Sequence, residues 1–446
     1  MYVLFRPVML FYYFYGNNGK KMKRRSFLKI ASAGSASALT SLYFPQDLTL
    51  RRIRTGLIGS GWYGMVDARA ALKTGNVEIS AICDVDSEHL TKSADELEKL
   101  QGIRPKTFKS YKDLLELKGL EAVIIGTIPH WHALQFIDTC SKGLDVYCEK
   151  PLAYDIMEGI AMVDAANKAG NIVQIGFQRR EALSFKKVRE IIDSGRIGAI
   201  RQIEAQIHYN PGPQDTRIQL PPASLDWEEW CGPAPKLDYR PSIGHMSWRL
   251  EKEYGNGHLV DWGIHHIDII RKITGESMPE SVYAAGGIFV LKDQITTPDT
   301  LKVNFGFKSV PVIWNHRLWG NGDVTKEFNN GIFFYGERGT IFADDSRVLV
   351  YGTGKDVSRE ELSIPTPDMQ EIHVSSFFDA VRKKDRKLID CPPDDAFQST
   401  ATVQLAMISY NTNSIVRWDA DKKTVSGNPA ASSLMKRDYR GNYIHP

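Results

Sequence analysis

The chain has 446 residues, 42% hydrophobic and 24% charged, which is enough for two domains each with its own core. A net charge of +3 gives no reason to expect nucleic acid or an anionic membrane surface as a partner. Five cysteines (Cys83, Cys140, Cys148, Cys231, Cys391) show no Cys-x-x-Cys spacing and leave an odd count, so neither a disulfide framework nor a zinc site organises the fold.

Residues 1–50 form an N-terminal extension. Met22 fits a start, with Lys23-Arg24-Arg25 as a basic head. The Ala/Ser-rich stretch 30–44 is too short and too polar to cross a membrane. The run Arg24-Arg25-Ser26-Phe27-Leu28-Lys29 resembles a twin-arginine signal, whose pathway exports folded proteins. A periplasmic or otherwise exported protein is expected; the competing reading is a basic amphipathic terminus without a targeting role.

From 51 to 176 strands and helices alternate. Strands are expected at Gly56–Gly59, Val77–Cys83, Ala122–Gly126, Asp145–Cys148 and Ile172–Gly176, with helices after Gly61 and at about 87–100, 131–142 and 155–169. The continuous apolar run Ala122-Val123-Ile124-Ile125 is what a strand buried on both faces requires. This order predicts a doubly wound parallel sheet of the Rossmann type.

A second α/β domain is expected over 177–422. A helix at 181–194 leads to a strand at Ile200–Tyr209 and a Pro-rich loop at 210–241. Short strands follow at Val282–Gly286, Thr300–Phe307, Gly331–Tyr335, Gly339–Phe342 and Arg347–Tyr351. They predict a largely antiparallel sheet with one open face, closed by helices near 371–384 and 394–416. The polar segment 423–446 reads as an extended arm.

Gly59-Ser60-Gly61-Trp62-Tyr63-Gly64 lies between the first strand and the first helix, and Asp84 follows twenty residues after Gly64. Glycines at that spacing permit a tight turn and close approach of a pyrophosphate to unpaired helix N–H groups. Asp84 is placed to accept ribose hydroxyls. A second acid, Asp86, and the lack of a nearby Arg favour NAD over NADP. Glu149 and Lys150 end a strand, where ligands of such sheets bind, although a strand-end lysine is also an ordinary surface residue. Asp261 and His265, four residues apart, share a helical face, so the carboxylate could orient the imidazole as a general base; Asp268 could do the same, and a plain polar helix start is the alternative. His130-Trp131-His132 follows another strand end and is expected to line the nicotinamide site rather than to bind a metal, for which no site is expected. Trp227, Trp230, Trp248 and Arg249 suit sugar rings or, equally, a core or oligomer contact.

Taken together, Gly59–Gly64, the segment Val146-Tyr147-Cys148-Glu149-Lys150-Pro151-Leu152, and Gly257-His258-Leu259-Val260-Asp261-Trp262-Gly263-Ile264-His265 resemble the glucose–fructose oxidoreductase/inositol dehydrogenase/MocA (Gfo/Idh/MocA) family. The segment 226–235 resembles an exported bacterial branch of it. The resemblance implies a nicotinamide cofactor, a sugar, glycoside or cyclitol substrate, and a homodimer or homotetramer. It gives Lys150 the reacting hydroxyl, His265 the role of base and Asp261 that of its partner. Arg179, Trp248 and Arg249 complete the expected substrate contacts. Gly255-Asn256-Gly257-His258 departs from the family's glycine run, and so the pocket there is expected to differ.

An exported enzyme of this kind must keep its cofactor. It either reoxidises it with a second substrate or oxidises and re-reduces one substrate. The latter permits redox-neutral cleavage of a glycoside by oxidation, elimination and hydration. A non-catalytic sugar- or NAD-binding protein on the same fold is a further alternative.

Overall fold

The computed structural model describes residues 51–353 and 358–446; the expected export segment lies outside them. The N-terminal part alternates strictly. β1 (Ile53–Ile58), α1 (Trp62–Lys73), β2 (Val77–Cys83), α2 (Ser87–Gln101), β3 (Lys106–Phe108) and α3 (Tyr111–Leu115) make its first half. β4 (Ala122–Ile125), α4 (Pro129–Ser141), β5 (Asp145–Glu149), α5 (Ile156–Ala169) and β6 (Val173–Gly176) make its second. The six strands pair in parallel in the order β3-β2-β1-β4-β5-β6. The order reverses between β1 and β4, which opens a crevice at their carboxyl ends. Every residue of β4 is buried, as its apolar run requires. The three-residue β3 carries no readable period and was not expected.

The remaining chain builds the second layer. α6 (Leu183–Asp193), β7 (Ile200–Ile207), α7 (Trp227–Cys231), α8 (Ile264–Thr274), β8 (Ser281–Gly287), β9 (Thr300–Gly306), β10 (Pro311–Arg317), β11 (Asn330–Gly336), β12 (Gly339–Ala343), β13 (Arg347–Gly352) and β14 (Arg359–Ser363) come first. α9 (Met369–Lys383), α10 (Pro393–Thr412), β15 (Val416–Asp419), β16 (Thr424–Ser426) and α11 (Pro429–Ser433) follow. Ten strands form one sheet in the order β14-β13-β12-β11-β7-β10-β9-β8-β15-β16. All pairs are antiparallel except β7 with β10. Along β8 and β9, Val282, Ala284, Val303 and Phe305 are buried while Tyr283, Lys302 and Asn304 face out, the alternation of a sheet packed on one side.

Two expectations change. The helix expected to close the second domain, α9, instead covers the first sheet: Val374, Phe377 and Phe378 pack with Leu57, Ile79, Ile124 and Tyr147. A parallel sheet needs both faces covered, and α1 and α2 leave room beside them. The segment 423–446 is not free: Thr424–Ser426 adds the last strand. Beyond it Arg437 N–H donates to Asp155 Oδ2 (3.1 Å), and the Tyr439 hydroxyl donates to Glu158 Oε1 (2.7 Å). The Pro-rich segment likewise carries a small core of its own, in which Trp227 stacks on Trp230 (4.5 Å) beside Tyr239 and Tyr254. Trp227 is therefore core, while Trp230 belongs to the same core and also borders a cavity. All five cysteines are buried and unpaired.

Candidate active site

One cavity of about 930 Å³ runs along the carboxyl ends of the first sheet and under the segment 225–262. At one end lies the glycine turn. Gly59 takes φ +86°, where a Cβ is strained, and a Cβ on Gly64 would stand 1.9 Å from Gly59 O. Gly61 is different: a Cβ there meets no protein atom within 4 Å, so the space beside it is open. Gly61 caps α1 with no side-chain bond, leaving the first N–H groups of a twelve-residue helix facing the cavity. A pyrophosphate fits this cradle. The Ser60 N–H (2.8 Å) and hydroxyl (3.3 Å) donate to Asp84 Oδ2 and the Asp86 N–H to Asp84 Oδ1 (2.9 Å), which orients the carboxylate and leaves a lone pair of Oδ1 for a ribose hydroxyl. Asp86 itself caps α2 and meets His245 Nε2 at 3.1 Å, tying the covering segment down.

The other end gathers side chains from distant stretches. Lys150 Nζ donates to the Asp261 carbonyl (2.7 Å) and carboxylate (3.0 Å), and Arg249 Nε reaches the other carboxylate oxygen at 3.0 Å. Burial pushes Asp261 up, but Lys150 and Arg249 outweigh it and hold the carboxyl below its usual range. Asp261 lies in a π-helical turn, Leu259–Gly263, that runs into α8. His265 lines the cavity one turn on, yet its Nδ1 is buried without a partner. Burial, then the charges of Lys150 and Arg179, push the imidazole well below the usual histidine range, so it is neutral. The expected Asp261–His265 pair does not form, because two cations from other elements take the carboxylate. Asp268 is likewise engaged elsewhere, with Arg180 (2.5 and 2.7 Å).

Arg179 and Trp248 line the same end. Arg179 Nη2 meets Asp345 Oδ2 at 3.3 Å and its guanidinium lies 5.3 Å from the Trp262 ring centroid; that of Arg249 lies 4.5 Å from Trp248. Trp62 and Trp262 remain 54% and 42% exposed at the rim, free to face a ligand. Tyr63 is more enclosed, its hydroxyl donating to Gln370 Oε1 (3.1 Å). Glu149 lines the wall, with burial raising its carboxyl to about 8 against the pull of Lys150.

Two expected residues turn away. His130 Nε2 meets Trp230 O (3.0 Å), and His132 sits between Pro151 O (2.9 Å) and Thr127 O (3.0 Å); both are fully enclosed by protein. Only Trp131 of the three reaches the cavity, its Nε1 donating to Glu229 O (3.0 Å). At a helix start successive side chains point about 100° apart, so three neighbours cannot share one wall. His258 also faces away, toward Ile207 O (3.2 Å), and Asn256 takes the left-handed conformation at φ +57°. Asp345, Gln178, Trp262 and Tyr443 also line the cavity. Trp262 adjoins Asp261 in sequence; Asp345 sits in the turn between β12 and β13, which carries no motif.

Residues 53–177 match the Gfo/Idh/MocA oxidoreductase family with an NAD-binding Rossmann fold, and 185–342 match the GFO/IDH/MocA C-terminal domain. A myo-inositol 2-dehydrogenase of Thermotoga maritima is 30% identical over 301 residues, which is 66% of this chain and 76% of that protein. The rhizopine catabolism protein MocA of Rhizobium meliloti is 27% identical over 51% of this chain and 59% of its own. In the solved structures, a levoglucosan dehydrogenase in complex with NADH and levoglucosan has a like fold, with TM-score 0.65 and 18% identity over 82% of this chain and 99% of that one.

Proposed function

The chain belongs to the Gfo/Idh/MocA family of NAD-binding oxidoreductases, and on that footing we propose that it oxidises a ring hydroxyl of a sugar, glycoside or cyclitol outside the cytoplasm. One observation carries the reading. A lysine anchored by a buried carboxylate and a neutral histidine line the same cavity as the glycine cradle.

Gly59–Gly64 and Asp84 would hold NAD, which supplies the hydride acceptor. Lys150, fixed by Asp261, binds the reacting oxygen and favours its alkoxide. Neutral His265 takes the hydroxyl proton. Asp261 is thus a positioning residue for Lys150 rather than for His265. Trp62 and Trp262 offer flat faces for pyranose or cyclitol C–H groups. The named substrates of the relatives, inositol and levoglucosan, are ring polyols of this kind.

Export rests on Arg24-Arg25 and requires the cofactor to travel with the folded protein. Redox-neutral glycoside cleavage, the second reading, is supported by the cover on the cavity. Asp226 N–H donates to Val85 O (3.0 Å), Lys109 pairs with Asp226 (2.6 Å), and Tyr443 packs edge-on to Trp131 (5.5 Å), so one side of the cavity is covered. Denaturing the purified protein and weighing what is released tests both. Near-stoichiometric NAD or NADH is expected. An empty protein that binds NAD weakly overturns the captive cofactor and the cleavage cycle with it.

A further inference from the structure

Two buried carboxyls lie near the Lys150 end of the cavity, Glu149 in its wall and Asp67 outside its lining, and neither forms an ion pair. Asp67 on α1 is fully buried; Gln370 Nε2 donates to its Oδ1 (2.6 Å), and its Oδ2 has no partner. Glu149 at the end of β5 is 5% exposed and receives only the Lys150 backbone N–H (3.2 Å) and the Tyr147 hydroxyl (3.5 Å). Gly176 makes the room: a Cβ there would stand 2.2 Å from Glu149 Oε1. Gln370 links the two acids, since its Nε2 also reaches the Tyr147 hydroxyl (3.2 Å).

Two anions this deep cannot both persist. An unpaired buried charge costs several kcal/mol, and neighbouring carboxyls push one another to stay protonated. The Lys150 ammonium is committed to Asp261. The other groups facing the pair are Tyr63, Tyr147 and Cys148, with His373 against Tyr147 and Arg179 beyond Tyr63. Burial raises both tyrosines and the cysteine, so none adds charge. Burial first, then the Glu149 charge, lifts Asp67 well above the carboxylate range. The pair therefore holds at most one negative charge.

We infer that Asp67 and Glu149 together hold one proton when a nicotinamide bound in this cavity is oxidised and two when it is reduced. The pair thereby stores the proton that the substrate hydroxyl gives up. The inference rests on the oxidoreductase reading. An oxidised nicotinamide ring carries a positive charge that the pair's single negative charge can balance; a reduced ring carries none. Oxidising a carbinol breaks a C–H and an O–H bond. The C–H hydrogen leaves with two electrons as hydride, and the O–H hydrogen leaves as a proton. Glu149 lines the cavity and can take that proton from His265 or from a water beside it. Re-reduction of the carbonyl draws the same proton back, so a closed cycle exchanges none with solvent.

The test needs no substrate. The purified protein, saturated with NAD, is reduced by dithionite, and the reduced-minus-oxidised infrared difference spectrum is recorded. One protonated-carboxyl stretch per chain is expected to appear, to shift in heavy water, and to vanish in both Glu149→Gln and Asp67→Asn; Asp345→Asn keeps it. The affinity for NADH relative to NAD should fall about tenfold per pH unit over the range in which the NADH complex holds one proton more than the NAD complex, and stay flat in Glu149→Gln. A wild-type spectrum with reduced nicotinamide bands but no carboxyl gain overturns the inference and leaves the oxidoreductase reading standing. So does a band that persists in both variants. Absence of any nicotinamide band after saturation overturns both.

Discussion

At the glycine end of the cavity the groups on offer are backbone N–H groups of one short stretch, Gly61 to Gly64, since those of Gly59 and Ser60 already donate to Cys83 O and Asp84. At the other end they are side chains from five stretches: Lys150, Arg179, Arg249, Asp261 with His265, and Asp345. The first end is fixed by local backbone geometry and tolerates change elsewhere. The second is held by ion pairs across more than a hundred residues of chain, such as Lys150 with Asp261. Substitutions at the two ends should therefore fail differently.

The largest effect belongs at the Lys150 end. Lys150→Ala and His265→Ala are each expected to lower turnover by roughly 10²–10⁴-fold, the usual weight of a positioned acid or base, with NAD still bound. Steady-state rates and the mass of the released cofactor check the two halves. Because His265 is neutral well below the usual histidine range, the wild-type rate should show no histidine limb as pH falls toward 6.5. A limb there, or near-normal rates in both variants, breaks the assignment.

Asp261→Asn comes next. It leaves Lys150 and Arg249 facing each other without an anion, at a cost of about 3–5 kcal/mol read as a lower denaturation midpoint at neutral pH. The sign with pH is fixed. The folded carboxyl is held below its unfolded value, so its stabilisation is fully present above the ordinary carboxylate range and is lost as pH falls through the lowered value. The wild type should lose that increment in acid, and the variant should have none to lose. If Asp261 instead served His265, Asn would alter the rate's pH profile and leave the acid stability curve alone.

At the other end, Gly64→Ala and Gly61→Ala separate folding from binding. The first forces a Cβ to 1.9 Å from Gly59 O and should destabilise by about 1–3 kcal/mol. The second meets only the open cavity, so the unfolding temperature should hold while NAD affinity drops. Equal unfolding temperatures for both would mean that the turn is not the rigid cradle described.

This contrast also governs what could be read in advance. The first sheet, the glycine turn, Asp84 and most strands of the second sheet are legible because each follows from neighbours in sequence: period, turn residues, a fixed spacing. Lys150, Asp261 and His265 could be picked out, but not the contacts among them. The spacing of Asp261 and His265 satisfies a helical rule, while the carboxylate answers to Lys150, 111 residues away. His130 and His132 were misplaced for the same reason: position after a strand end locates the turn, but not the direction of each side chain. Asp345, Gln370 and the covering role of α9 depend wholly on tertiary packing, and no local pattern marks them.

The smallest effect tests the cover on one side of the cavity. Arg440 Nε donates to Gly232 O (3.2 Å) and Ala234 O (3.1 Å), and its guanidinium pairs with Glu228, whose side chain is 52% exposed. An ion pair that open contributes at most about 1 kcal/mol and the carbonyl bonds about as much again, so Arg440→Ala should lower the unfolding temperature only modestly. Its consequence is local. Loss of the anchor frees Tyr443 from Trp131, and both line the cavity. Release of NAD should then quicken several-fold, measured by chasing bound cofactor with excess labelled NAD, and Tyr443→Ala should match it. If neither variant releases NAD faster, the arm is packing alone, and the captive cofactor must rest on the covering segment pinned by Asp86 and Lys109.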